Sequence, residues 1–243
     1  MTINSSMSAS RTSTTSPSIT LKDDIPGRFT KYDISVAAKT ATDSGTLSWE
    51  TPAVGRRLWQ IGILDRSGAE FGHGNDFRHW GLWMRIRKQF PDGIIAFVAD
   101  HGEAQDIPYI LAAYVQGSGV PYDPVLQIEF ALPVAPMEPK ASLLLALADA
   151  IQHGRYPFVD LSLSLNGQPL AEIKETFRHG GAIHRSDIRG LCQEETITFP
   201  ASRLQAGKNT LTIRLTPHRK PRSSSTGAPY IAVMFDALRL EAR

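Results

Sequence analysis

The sequence has a single cysteine, Cys192, among its 243 residues. One thiol excludes an intramolecular disulfide and every zinc site built from two or more thiolates. The chain also lacks a long apolar run, because the richest stretch, residues 141–151, is about half the length that a membrane span requires. The formal net charge is only +2, so no overall field attracts a phosphate backbone. We therefore expect no disulfide framework, no membrane partner and no nucleic-acid partner.

Residues 1–20 are dominated by Ser and Thr and lack the continuous apolar segment of a secretory signal. A transit peptide is also Ser-rich and poor in acids, but it carries several arginines along an amphipathic stripe, and this stretch has only Arg11. The favoured interpretation is a disordered tail. We expect a cytoplasmic protein, and a secreted one only if the N-terminus is incomplete.

From residue 21 onward, short apolar runs alternate with Gly, Pro, Asn and Asp, and no long segment has a helical period. Three runs alternate strictly between apolar and polar side chains, which is typical of strands with one buried face. Their apolar positions are Leu126, Ile128, Phe130 and Leu132; Leu161, Leu163 and Leu165; and Leu211, Ile213 and Leu215. The pair Asn166-Gly167 indicates a hairpin turn after the second run. A last strand is predicted from Tyr230 to Leu240.

Residues 141–151 are ambiguous, since Leu and Ala favour a helix whereas the position between strands favours a strand buried on both faces. We favour the strand. About eight such strands predict an all-β fold, an antiparallel β-sandwich or jelly roll, in which a second sheet covers the apolar face of the first. Residues 217–229, rich in basic residues and Ser, are interpreted as an exposed loop.

Several sequence blocks, taken in chain order, resemble a known module. They are LWQIGILDRSGAEF at 58–71, FRHWGLW at 77–83, AIHRSDIRG at 182–190, AGKNTL at 206–211 and VMFDALRLE at 233–241. Together they are similar to the C-terminal domain of the family 4 polysaccharide lyases, the rhamnogalacturonan lyases. The segments GRFT at 27–30 and GTLSW at 45–49 resemble the end of the fibronectin-III-like domain that precedes this module in the family.

The resemblance implies a carbohydrate-binding jelly roll of the galactose-binding-like type over residues 56–243. Residues 21–55 are then a remnant of the fibronectin-III-like domain or edge strands, and residues 1–20 are the tail. The large N-terminal domain that carries the lyase reaction has no counterpart in these blocks, so no catalytic lysine or histidine is carried over. Asp187, Arg189 and Cys192 depart from the family pattern in the third block.

The candidate ligand-binding residues are aromatic and charged side chains. Flat rings suit the C–H faces of sugars, and the fork of arginine suits a uronate carboxylate. We single out Trp80, Arg78, Arg66, Asp65 and Arg189. The alternative is structural: Trp59 and Trp83 are core residues of the sandwich, and Asp65-Arg66 is an ion pair that fixes a turn. The expected partner is a carbohydrate or a small polyoxygenated molecule.

A second hypothesis is an intracellular enzyme, a lyase, isomerase or cyclase of secondary metabolism, that reuses the cleft of the jelly roll. His184, Arg185 and Asp187 are its candidate catalytic residues, because a His beside an acid and an Arg can exchange a proton with an acidic substrate. These residues also suit a solvated loop. Whether the chain is an enzyme therefore stays open.

The sequence predicts no metal site and no cofactor. His73, Asp76 and His79 lie three residues apart in a Gly-rich loop, but no further cluster of ligands accompanies them. A structural calcium held by backbone carbonyls leaves no sequence motif and so stays open. Cys192 is predicted to be a small buried residue in a strand rather than a nucleophile.

Overall fold

The computed structural model describes residues 18–22, 29–33, 53–76, 81–116, 120–152, 156–182, 190–218 and 229–243. The chain divides into two compact units, Met1–Trp49 and Glu50–Arg243. Across these described ranges, no helix is long and apolar enough to cross a membrane.

The first unit contains an antiparallel pair of strands, β1 (Ser18–Lys22) and β2 (Phe29–Asp33). β1 includes the last residues of the stretch that we expected to be a tail. The other residues expected to form the tail, 1–17, lie outside the described residues, as do 34–52.

In the described residues, the second unit is built almost entirely of strands, with one short α-helix between the first two of them and two 3-10 helices, Ala104–Asp106 and Ala201–Arg203. The elements are β3 (Arg56–Gly62), α1 (Trp83–Gln89), β4 (Ile94–Val98), β5 (Ile110–Gln116), β6 (Val120–Tyr122), β7 (Val125–Leu132), β8 (Lys140–Gln152), β9 (Phe158–Leu165), β10 (Gln168–Arg178), β11 (Gln193–Pro200), β12 (Gly207–Thr216) and β13 (Ile231–Ala242).

These strands form two sheets. The five-stranded sheet has the order β10-β9-β12-β7-β4, and the six-stranded sheet has the order β11-β8-β13-β5-β6 with β3 also paired to β13. The predicted all-β sandwich is therefore confirmed. All pairings are antiparallel except that of β4 with β7, which is parallel and was not predicted.

The three runs with strict alternation are β7, β9 and β12, and they lie side by side in one sheet. Their apolar positions are buried and join one core with the inward side chains of β8, such as Leu145. The turn between β9 and β10 is made by Asn166 and Gly167, whose φ angles are 52° and 76°. Positive φ at both positions is what a tight hairpin of this kind requires, as the sequence predicted.

The ambiguous segment 141–151 is a strand, part of β8, and all of its residues are buried. The strand interpretation is confirmed, because β8 has neighbours on both sides and covered faces. The helix α1 was not predicted. It buries Trp83 and Ile86, and its seven residues are too few to give a helical period in the sequence.

The central strand β13 determines where the candidate site forms. β8 pairs with one side of β13 along its whole length. The other side pairs with β5 over residues 231–234 and with β3 over residues 237–242. Asp236 therefore lies where one partner strand ends and the next begins, which leaves room for a side chain to bond to a loop.

Candidate functional site

Asp236 lies at an irregularity in the pairing of β13 with β8. The register shifts on both sides of Phe235, so that Met234 faces Asp149 and Ala237 faces Ala146. A bulge of this kind redirects side chains that a regular strand would place in the ladder. Here the irregularity includes Asp236 of β13 and lies next to Asp149 of β8, so that an acidic residue of each strand lies beside it. Both are deeply buried, with exposures of 3% and 0%.

The Asp236 carboxylate holds the turn that follows β3. Its Oδ1 accepts the backbone N–H of Asp65 at 3.2 Å, of Arg66 at 2.8 Å and of Ser67 at 3.2 Å. Arg66 has a φ of 69°, a conformation that non-glycine residues adopt at an energetic cost. The three hydrogen bonds offset that cost, so the positions of Asp65 and Arg66 are fixed by a residue far along the chain.

Burial raises the pKa of Asp236 to about 7. The three backbone N–H donors oppose this shift, because they favour the charged carboxylate, while the nearby Asp65 carboxylate reinforces it. Glu70 is in a similar position: burial raises its pKa, and its Oε1 accepts the N–H of Ile63 at 2.5 Å. The buried Asp236 and the half-buried Glu70 thus hold the two ends of the turn.

Asp149 holds the second loop of the site. Its Oδ2 accepts the N–H of Ala182 at 2.6 Å, and its Oδ1 accepts the N–H of Leu191 at 3.3 Å. The backbone passes so close that a Cβ at Gly180 would lie 2.0 Å from Oδ1 and one at Gly190 would lie 2.4 Å from Cγ. Asp149 therefore anchors the chain on either side of the segment 183–189.

Cys192 connects the two loops. Its Sγ donates to the carbonyl oxygen of Arg66 at 3.5 Å. The prediction that Cys192 lies in a strand is wrong, because it precedes β11 in an irregular segment and is only half-buried. The hydrogen bond to the Arg66 carbonyl on a neighbouring loop accounts for the position of Cys192 outside the sheet. Burial raises the pKa of the thiol, and Asp236 adds to the shift, so the thiolate is disfavoured here.

Of the predicted ligand-binding residues, the structure places Asp65 and Arg66 together on the turn held by Asp236. Both side chains are half-buried. The remaining candidates lie outside the described residues, and their predicted roles stay predictions. They are Arg78, Trp80 and Arg189 for binding and His184, Arg185 and Asp187 for catalysis.

The structural interpretation of the other tryptophans is confirmed, since Trp59 and Trp83 are buried in the core. His73 bonds to Asp76, with 2.8 Å between Nδ1 and Oδ2, while His79 lies outside the described residues. In the part of the chain that the structure describes, no group of three or more His, Cys, Asp or Glu side chains is placed to hold a metal ion.

The sequence analysis missed Asp149 and Asp236. A signal was present, because each is an acid within a continuous apolar run, Ala146 to Ile151 and Ile231 to Leu238 respectively. A charged side chain in a strand that is buried on both faces needs a hydrogen-bond or ion-pair partner. Their partners were not readable, since Asp65 and Asp236 are 171 residues apart in the chain.

The two buried acids of the site have a structural role. Asp149 and Asp236 are used as acceptors for backbone N–H groups, which makes them parts of the scaffold. They hold a turn that presents Asp65 and Arg66 and the ends of a second loop beside it. A carboxylate and a guanidinium on a fixed backbone suit hydroxyl and carboxylate groups of a ligand.

A family model described as CBM-like, polysaccharide lyase family 4, domain III, matches residues 57–240. The chain belongs to this family. The resemblance drawn from the sequence blocks is confirmed. The second unit, Glu50–Arg243, contains the whole matched range of this domain III, and both Asp149 and Asp236 lie within it.

Curated relatives of this family 4 protein are similar over most of its length. Rhamnogalacturonate lyase B of Emericella nidulans is 27% identical over 251 residues, which cover 90% of this chain and 38% of the relative. A probable rhamnogalacturonate lyase B of Aspergillus terreus is 26% identical, with the same two shares. The chain thus spans 38% of the length of these relatives, and their activity as whole proteins is not transferred to it by the match.

Solved structures similar to the domain include carbohydrate-binding modules. A family 35 module from Clostridium thermocellum has a TM-score of 0.28 and 18% identity, over 48% of this chain and 70% of that module. A family 35 module from an environmental isolate has a TM-score of 0.30 and 12% identity, over 50% and 67%. The sandwich is established by the strand pairings themselves.

Proposed function

We propose that this family 4 domain III binds an acidic or polyoxygenated carbohydrate of the rhamnogalacturonan type, and that it binds the glycan rather than cleaving it. The contact surface is the turn that carries Asp65 and Arg66, together with Ala182 and Leu191, which Asp149 holds. Arg78, Trp80 and Arg189 lie outside the described residues and stay candidate contacts from the sequence.

Two lines of evidence support the proposal. The family is described as CBM-like, and the relatives are named as lyases of rhamnogalacturonate. The single structural observation that carries it is the turn held by three N–H bonds to Asp236. A turn fixed before the ligand arrives loses little conformational entropy on binding. An arginine on such a turn can form a bidentate pair with a uronate.

The test is a titration of the purified chain with rhamnogalacturonan and homogalacturonan oligosaccharides at low ionic strength, with and without calcium. Arg66→Ala should weaken binding about tenfold, because a charge-assisted pair is lost. Arg66→Lys keeps the charge but not the fork, so it should lie between Arg66→Ala and the wild type. Arg85→Ala removes an exposed arginine of α1 and serves as the matched control that leaves the affinity unchanged.

Two results would count against the proposal. If the wild type binds none of these oligosaccharides, the domain is not a module for this class of glycan. If Arg66→Ala and Arg85→Ala bind as tightly as the wild type, the glycan is bound elsewhere. The candidate residues of the enzyme hypothesis, His184, Arg185 and Asp187, lie outside the described residues, so that hypothesis stays a prediction from the sequence.

A further inference from the structure

A cluster of aromatic side chains lies on the surface where β9 begins, β10 ends and the chain leaves β12. We call it the Tyr156 patch; it consists of Tyr156, Phe158, Asp160, Arg178 and His218. His218 falls in the stretch 217–229 that the sequence predicted to be an exposed loop, and the other four residues were not singled out from the sequence. The outward positions of β9 farther along the strand are the small residues Ser162 and Ser164, so the aromatic rings are confined to one end of the sheet.

The rings of the patch are ordered against one another. Tyr156 and His218 are stacked, with 4.2 Å between ring centroids and 14° between planes. Phe158 meets Tyr156 edge-on at 5.7 Å. The guanidinium of Arg178 lies 5.8 Å from the centre of the Phe158 ring, within the range of a cation–π contact. Tyr156 and His218 cover each other's inner faces, so the flat surface that the stack offers to a ligand is the outer face of the exposed His218 ring.

A buried acid fixes this surface from below. Asp160 is 7% exposed, and its two carboxylate oxygens lie 2.9 and 3.1 Å from the hydroxyl of Tyr156. The N–H of Glu175 also donates to Asp160 Oδ1, at 3.3 Å. Glu175 has a φ of 55° in the irregular part of β10, between Ile173 and Phe177. A strained non-glycine residue held in this way is a feature found at binding sites.

The packing of the core does not account for the patch. Tyr156 and Phe158 are only half-buried, and Arg178 and His218 are exposed. Phe177, the neighbour of Arg178 in β10, is fully buried and fills the core at this level. The stacked pair therefore contributes little to the core, while it orders an exposed side chain, His218, whose ring would otherwise be free to rotate.

We propose that the Tyr156 patch is a second carbohydrate-binding site, at which one pyranose ring stacks its C–H face on the exposed His218 ring, on the side away from Tyr156, which holds that ring in place. Arg178 donates to hydroxyl oxygens at the edge of the ring, and the exposed carboxylate of Glu175 accepts from a neighbouring hydroxyl. The inference rests on the proposed carbohydrate-binding function and adds the place and the mode of binding.

The end of β10 connects the patch to a residue that Asp149 holds at the proposed contact surface. Arg178 belongs to the patch, the N–H of His179 donates to Pro157, and the N–H of Gly180 donates to Ala150. Ala182 is then held by Asp149. One continuous segment, residues 178–182, thus runs from the patch to the residue that Asp149 holds.

The experiment is an affinity electrophoresis series with rhamnogalacturonan in the gel, supported by calorimetry with its oligosaccharides. His218→Ala and Tyr156→Ala should each weaken binding about threefold to tenfold, the range of one lost aromatic contact. Tyr156→Phe keeps the ring and should retain most of the affinity. His101→Ala removes another exposed histidine, on the β4–β5 connection, and is the matched control.

The outcomes separate the two proposals. Weaker binding by His218→Ala, with an unchanged melting temperature, supports the second site. His218 is exposed, so His218→Ala should fold normally and keeps the test valid even if Tyr156→Ala does not fold. If both patch variants bind as the wild type does while Arg66→Ala binds less, the inference is overturned and the proposed function stands. If the wild type binds no glycan in the series, both fall.

Discussion

The replacement Asp236→Asn isolates the charge of the buried carboxylate that holds the Asp65–Ser67 turn. Asparagine keeps an oxygen at the position of Oδ1, so the three N–H groups retain an acceptor. It cannot ionise. Asp236→Ala is the companion variant, because it removes the acceptor together with the charge and leaves the three donors without a partner.

The sign of the effect follows from the pKa of Asp236, which burial raises from 3.8 to about 7 in the folded protein. Between these values the folded state holds a proton that the unfolded chain has released. The stabilisation from that proton is complete below the unfolded pKa and is lost as the pH rises through the folded pKa. At about 1.4 kcal/mol per unit, the free energy of unfolding of the wild type should fall by about 2–3 kcal/mol from about pH 5 to about pH 8 through this group.

Urea unfolding followed by the fluorescence of the four tryptophans measures this free energy at each pH. We expect the stability of Asp236→Asn relative to the wild type to increase by that amount over this range. Asp236→Ala should be less stable than Asp236→Asn by about 2–4 kcal/mol at every pH, since three buried hydrogen bonds are lost. If the difference between Asp236→Asn and the wild type is the same at both ends of the range, the carboxylate is ionised throughout and our reasoning on its burial is refuted.

Two further predictions concern the scaffold. Gly190→Ala should destabilise the domain by about 1–3 kcal/mol, because its Cβ would lie 2.4 Å from Asp149 Cγ. The comparison variant is Gly167→Ala, where the new Cβ has open space but φ is 76°, and it should cost only about 1 kcal/mol. Equal melting temperatures for the two variants would contradict the close packing at Gly190. Leu145→Ala, at a fully buried position of β8, should cost about 2–5 kcal/mol in urea unfolding, and a loss below 1 kcal/mol would contradict the packing of this face of β8 in the core.

The sequence predicted the parts of the fold that depend on local pattern. The alternation in β7, β9 and β12 and the Asn166-Gly167 turn were readable because period and turn chemistry are encoded within a few residues. β8 was identified by its position between strands rather than by its composition. The parallel pairing of β4 with β7 was not readable, since nothing local distinguishes a strand that joins an edge in the parallel sense.

The candidate site was predicted only in part, for a physical reason. The sequence singled out Asp65 and Arg66 because they are charged residues within the block at 58–71 that resembles the family. Asp236 and Asp149 did not, because they act through a bulge in β13 and β8 that depends on how two distant strands pair. The Tyr156 patch likewise joins residues of three different strands or their ends. Contacts of this kind follow from the three-dimensional arrangement and leave no spacing in the sequence.

The central claim is that this family 4 domain III binds carbohydrate, and calorimetric titration of the purified chain with rhamnogalacturonan oligosaccharides at low ionic strength tests it most directly. The account predicts saturable binding with a Kd on the order of micromolar to millimolar, weakened by Arg66→Ala and by His218→Ala but not by Arg85→Ala or His101→Ala. The absence of any saturable heat with rhamnogalacturonan or homogalacturonan oligosaccharides, with calcium or without it, would contradict the account.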